Sequence, residues 1–317
     1  MTKISIVVAC YYNGMNLPQT YPVIVHDVFE KCPDMDFELI FVDDGSGDDT
    51  LLQAKIIQNQ DPRVRIVKLT RNFGEFRAIV AGMSVATGDA IAVISADLQD
   101  PPDLIPNMIA SWQKGSKVNL AVRSKREESA LKNWCADTYY KLVRKWVEPN
   151  YPKRGFDFFL IDSSVAKQLV QMQEKNSSIY VQLIWLGYTP TVIEYTRRER
   201  EKGKSMWNFH KKMDLFIDTF IVFSHRPIRF ISSIGVLIFL AGIVTAILTI
   251  IDYCTHQLIA GWASLMVAVL LLSGFQILML GILGEYMWRN LDESRKRPLY
   301  VIEKVIDQPE ETMPVQK

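Results

Sequence analysis

Residues 90–102 read Ala90-Ile91-Ala92-Val93-Ile94-Ser95-Ala96-Asp97-Leu98-Gln99-Asp100-Pro101-Pro102, a short β-branched run that ends in an acidic turn. A strand ending at Ser95 pushes Asp97 out beyond the edge of a sheet, and the two prolines with Asp103 mark a helix start. A lone carboxylate among nearby oxygen donors suits Mg2+ or Mn2+, which bind through one or two carboxylates plus substrate phosphates. Helix start and metal site are compatible readings of the same residues.

Working outward, similar runs recur at Ile4–Ala9, Phe37–Val42, Val64–Leu69 and Asn119–Val122. Helical periodicity fills the intervals at Leu51–Asn59, Glu75–Ala86 and Leu104–Lys114. Strands alternating with helices predict an α/β fold, a Rossmann-like, mostly parallel sheet covered on both faces. Ligands in such folds bind at the carboxyl ends of the strands. Three further clusters fall there.

Asp43-Asp44-Gly45-Ser46 closes the second strand, where paired carboxylates suit a base imide and a ribose, or an ordinary turn with a helix cap. Arg71-Asn72-Phe73-Gly74 and Arg77 punctuate the next turn. Arg123, Arg126 and the run Arg197-Arg198-Glu199-Arg200-Glu201-Lys202-Gly203-Lys204-Ser205 are basic, fitting either a solvated face or an anionic lipid head group.

Composition excludes several classes. Lys plus Arg is 36 against Asp plus Glu 35, so neither disorder nor a nucleic-acid partner is expected. The four cysteines lack CxxC spacing and signal neither zinc nor a disulfide scaffold. No signal peptide is expected at the N-terminus, which opens directly into strand-like sequence.

Mean hydropathy is +0.06, high for 22% charged residues, because apolar residues gather towards the C-terminus. Phe230 to Ile251 and Leu258 to Leu283 are uncharged runs, each long enough to cross a hydrocarbon core of roughly 30 Å as a helix. Flanking Lys211, Lys212, Arg226, Arg229, Arg289, Arg295, Lys296 and Arg297 place both termini on the cytoplasmic side by the positive-inside rule. The expected organisation is a domain at 1–209, an interfacial amphipathic helix at 210–227, a two-helix transmembrane hairpin at 228–284 and a cytoplasmic segment at 285–317. The expected location is the inner or plasma membrane, as a multi-pass protein with its catalytic domain and both termini cytoplasmic.

Tyr12-Asn13, the Asp43–Ser46 and Arg71–Gly74 turns, Ala96 through Pro102, Gly155 through Asp162 and Gly203-Lys204-Ser205 together resemble the family-2 glycosyltransferases that act on polyprenyl phosphates. The hairpin, Gly284-Glu285-Tyr286 and Arg297-Pro298-Leu299-Tyr300 make the chain similar to the bactoprenol glucosyltransferase branch. The resemblance spans about Ile4 to Val301 and implies a GT-A fold. It also implies inverting, metal-dependent transfer of a hexose, with UDP-glucose as donor, to a polyprenyl (undecaprenyl) phosphate.

Carried over by position, Asp44 and Val42 contact base or ribose, with Tyr12, Ser95 and Ala96 in the same nucleotide-sugar set. Asp97 and Gln99 hold the Mg2+ or Mn2+ and the diphosphate. Arg123, Arg126, Arg200, Lys202, Lys204 and Ser205 hold phosphates, and Asp157 takes the acidic catalytic position. Ser95 departs from the family's Asp-x-Asp pattern, Met206 stands where Lys usually follows Gly-x-Ser, and Cys10 and Gly14 replace a common Pro and Glu. A homo-oligomer through the membrane and C-terminal segments is expected, with Gly235 and Gly242, or Gly274 and Gly281, as close-packing sites. Alternatives are another donor or acceptor on the same fold (GDP-mannose, diacylglycerol or a polysaccharide) or an inactive membrane-anchored nucleotide-sugar binder.

Overall fold

A computed structural model describes residues 1–124, 130–175, 177–196, 226–256 and 261–308. The chain forms two compact units, Met1–Phe216 with Pro298–Lys317, and Ile217–Arg297.

The first unit is the expected α/β fold. Its strands are β1 (Lys3–Cys10), β2 (Asp36–Asp43), β3 (Val64–Leu69), β4 (Ala90–Ser95), β5 (Val118–Arg123), β6 (Phe158–Asp162), β7 (Thr191–Tyr195) and β8 (Ile302–Ile306). They form one sheet in the order β7-β5-β6-β4-β1-β2-β3-β8. β6 runs antiparallel to β4 and β5, β8 runs antiparallel to β3, and the other pairs are parallel. Six carboxyl ends therefore share one edge with the amino ends of β6 and β8.

The helices are α1 (Leu17–Ile24), α2 (Thr50–Gln60), α3 (Glu75–Val85), α4 (Ile105–Gln113), α5 (Ala130–Trp146), α6 (Ser163–Gln171) and α7 (Ile179–Trp185). β2 is buried from Phe37 to Asp43 because both faces of the central strands are covered. On one face Ile4, Ile6 and Val8 join Leu39, Phe41 and Ile94 in the main core. On the other, α3 approaches so closely that a Cβ at Gly82 would lie 2.4 Å from Val7 Cγ1 and 2.8 Å from Val42 Cγ2. Gly82→Ala is thus expected to overpack this contact and destabilise the domain by about 1–3 kcal/mol. An unchanged thermal midpoint would show that the helix can shift without penalty.

β8 was not anticipated. After the second unit the chain returns to pair with β3, and Gln58 Nε2 donates to the Val64 and Ile306 carbonyls at 3.0 and 2.8 Å. Lys68 meets Glu303 at 2.8 Å and Arg65 meets Asp307 at 2.7 Å. The Ile217–Arg297 unit is therefore an excursion between two parts of one domain.

The second unit contains α8 (Arg226–His256) and α9 (Trp262–Ser294). A Cβ at Gly235 would lie 3.3 Å from Phe275 Cε1, so this close approach is used within the chain. Over the described residues, however, no helix is long and apolar enough to cross a membrane. This finding overturns the expected multi-pass localisation, with two spanning helices and cytoplasmic termini, and the spanning assignment of the hairpin is withdrawn. The charged residues of these helices lie at their ends, Arg226, Arg229 and Asp252 in α8 and Glu285, Arg289, Asp292 and Glu293 in α9. Of the interfacial helix expected at 210–227, residues up to 225 lie outside the described ones.

Candidate active site

Every described residue assigned from the sequence to catalysis, nucleotide sugar, phosphate or metal belongs to the first unit, and all but buried Val42 lie in turns or at strand ends along the sheet edge set by the carboxyl ends. Beyond β1, Tyr12 has φ +56, a left-handed conformation that a bulky residue adopts only when its surroundings enforce it. The enforcing contacts come from the turn after β2 and the first residue of α2. The Tyr12 N–H donates to Ser46 Oγ at 3.2 Å, that of Asn13 to Thr50 Oγ1 at 2.9 Å and that of Gly14 to Asp48 Oδ2 at 3.2 Å. The Tyr12 side chain is left half exposed.

Asp43 accepts from the Ser46 N–H at 3.0 Å, closing a side-chain turn. Asp44, assigned to the nucleotide, is buried and accepts from the N–H groups of Phe73 and Gly74 at 2.7 and 2.9 Å and from Asn72 Nδ2 at 2.9 Å. Burial pushes its carboxyl above the usual range, against the lowering influence of those two backbone donors. Two motifs noted separately in the sequence are thus one structure, in which Asp44 shapes the 71–74 turn. Between them, a Cβ at Gly45 would lie 2.5 Å from the Arg71 carbonyl carbon, and its φ of +67 also favours glycine. Val42 has its side chain in the core, against Gly82.

At the end of β4, Leu98 has φ +56 and the Gln99 N–H donates to Asp97 Oδ1 at 3.2 Å, so the 97–99 turn is tight. Ala96 is buried, and its carbonyl accepts from Thr20 Oγ1 at 2.7 Å. Ser95 Oγ donates to Asp100 Oδ2 at 2.9 Å, and the Tyr195 hydroxyl donates to Asp100 Oδ1. Asp100 is fully buried.

Arg123 ends β5 and pairs through Nη2 with Asp157 Oδ2. Register explains the meeting: β5 and β6 pair Ala121 with Phe158, so residue 157 falls beside the end of β5. The Arg123 side chain is 11% exposed and that of Asp157 is 39%, which leaves the carboxylate as the open end of the pair. Arg123 Nε is buried without an acceptor among the described residues. The expected phosphate ligand and the expected catalytic carboxylate therefore hold one another. Arg126, Arg200, Lys202, Lys204 and Ser205 lie outside the described residues.

Asp100 was noted only within the Ala96–Pro102 motif, without a role of its own, and Tyr195, at the end of a five-residue strand, was not singled out. Register was the missing signal, since β5 and β7 place Arg123 opposite Tyr195.

Among the described residues no three His, Cys, Asp or Glu side chains gather, so an all-protein metal cage is not formed. Ser95 has its hydroxyl turned to Asp100 and is not posed as a ligand. The donor set at Asp97 fits a divalent cation held by one carboxylate together with substrate phosphates.

The family described as "Glycosyl transferase family 2" matches residues 5–170, and "GtrB C-terminal hairpin" matches residues 226–289. Similar proteins include "Uncharacterized glycosyltransferase YkcC" of Bacillus subtilis (strain 168), 38% identical over 95% of this chain and 93% of that protein. The "Prophage bactoprenol glucosyl transferase homolog" of Escherichia coli (strain K12) is 35% identical over 96% and 99%. The "Bactoprenol glucosyl transferase" of Shigella phage SfV is 34% identical over 95% and 98%.

Proposed function

This chain belongs to glycosyl transferase family 2, and from that premise we propose that it transfers a hexose, glucose from UDP-glucose, to a polyprenyl phosphate. The observation that carries the reading is the half-open Asp157 carboxylate held by Arg123 on the edge that also presents Asp97 and Tyr12. Near-full-length similarity to proteins named for bactoprenol glucosylation supports the choice of acceptor and sugar.

In this reading an acceptor phosphate oxygen attacks the anomeric carbon as its bond to the nucleoside diphosphate breaks, with inversion. A phosphate monoester has a second pKa of about 6 and is largely dianionic at neutral pH, so it needs little help in losing a proton. Asp157 then orients the acceptor or stabilises the positive charge that develops on the sugar ring, rather than serving as an obligatory base. Tyr12 and the turn shaped by Asp44 flank the nucleotide. Asp97, with Gln99, would hold Mg2+ or Mn2+, which supplies charge neutralisation for the leaving diphosphate.

The test uses purified protein in detergent with short-chain polyprenyl phosphate, Mg2+ or Mn2+, and labelled UDP- and GDP-sugars. Label from UDP-glucose is expected to enter the organic phase, and to be lost with EDTA and in Asp97→Ala. Donor hydrolysis without labelled lipid would reject the acceptor. Full activity in EDTA would reject the cation.

A further inference from the structure

The buried polar chain beneath Asp157 uses three residues that the transfer reading leaves idle, Ser95, Asp100 and Tyr195. Ser95 and Tyr195 donate to the two oxygens of Asp100 from β4 and β7. Tyr195 is opposite Arg123 in the β5–β7 register, and the Arg123 guanidinium interacts with its phenol oxygen. Arg123 in turn holds Asp157. Contacts therefore run Ser95–Asp100–Tyr195–Arg123–Asp157, from a fully buried carboxylate to an exposed one.

Burial raises the Tyr195 phenol well above its ordinary value, and the Asp100 charge raises it further. The phenol thus keeps its proton and remains a constant donor to Asp100. The Arg123 fork thus has Asp157 on one side and the Tyr195 phenol on the other, while its Nε lacks an acceptor among the described residues.

We propose that Tyr195 and Asp100 are positioning residues for sugar transfer, fixing the Arg123 guanidinium and through it the orientation of the Asp157 carboxylate. The proposal rests on the transfer reading and adds to it the support that holds the acidic residue in place.

The test is a double-mutant cycle on steady-state transfer. Tyr195→Phe keeps the ring and removes the hydroxyl. It is expected to lower kcat about tenfold or more, the scale on which a misplaced catalytic group acts, while the donor KM stays within about twofold. In an Asp157→Asn background the same substitution is expected to change kcat less than about twofold, because the group it positions has already lost its charge. Asp100→Asn, close in shape to the native side chain, is expected to repeat this non-additivity should Tyr195→Phe fold poorly. Equal fold-losses in both backgrounds would overturn the proposal, as would an unchanged kcat for Tyr195→Phe in the otherwise native protein. Transfer by the unsubstituted protein is measured first, so a failed positioning role and a failed transfer reading give different results.

Discussion

Asp157→Asn is expected to lower the rate of transfer by roughly 100- to 1,000-fold, the loss typical when a preorganised group facing developing charge is removed. The amide keeps the shape of the side chain and a carbonyl oxygen for Arg123, so packing is preserved while the charge is not. The geometry makes the effect large. Asp157 lies at the amino end of an antiparallel strand among carboxyl ends of parallel ones, with its partner Arg123 largely buried. Both consequences of the substitution, a sugar ring without its stabilising anion and a buried guanidinium without its counter-charge, fall at one place. Initial rates with labelled donor check the prediction, alongside thermal midpoints that report folding. A rate within a few-fold of the unsubstituted protein would show that the Asp157 charge has no important part in transfer.

The second large effect is on stability, at the opposite edge of the sheet. Glu38 on β2 is 3% exposed and accepts from Ser5 Oγ and the Thr87 N–H, both at 2.5 Å, from Thr87 Oγ1 at 2.9 Å and from Arg65 Nη1 at 3.0 Å. Lys3 Nζ lies 3.2 Å away. Burial alone would raise its carboxyl, but these hydrogen bonds and the Lys3 charge hold it down at about 2. Glu38→Ala leaves Arg65, Ser5 and Thr87 facing a cavity and is expected to destabilise the domain by about 3–5 kcal/mol, the loss seen when one partner of a buried pair is removed.

The sign of the pH effect follows from the lowered value. Unfolded, the group titrates near 4.5, and folded near 2. Its stabilisation is therefore fully present above about pH 4.5 and lost as pH falls towards 2, amounting to about 3 kcal/mol by linkage. Glu38→Gln is expected to flatten the fall in thermal midpoint between those limits. A variant with the unaltered acid slope would remove Glu38 from the account. Because Arg65 also binds Asp307 beyond β8, this cluster ties the returning strand to the first strands of the sheet.

Much of the scaffold was legible locally. Val64–Leu69 and Ala90–Ser95 were read with the bounds they have, because β-branched runs between turn residues leave few alternatives. Asp97 and Asp44 were correctly placed at strand ends by the same patterning. The role of Asp44 was not legible: its partners Asn72, Phe73 and Gly74 are 28 to 30 residues away and meet it only through parallel pairing of β2 with β3. The membrane spans read from the uncharged runs were overturned, since no helix of the described residues is long and apolar enough to cross a membrane.

The sequence by itself determined the alternation of strands and helices, the edge on which the acidic turns lie and the family to which the chain belongs. These depend on side-chain periodicity and turn chemistry, which act over a few residues. Only the tertiary structure decided that Arg123 holds Asp157, that Tyr195 and Ser95 meet on Asp100, and that residues 302–306 close the sheet beside β3. Those contacts join residues far apart in the chain, and beside them Gln58 and Ile306 meet across a separation of 248. Strand register fixes them, and register follows from how all the buried faces pack at once.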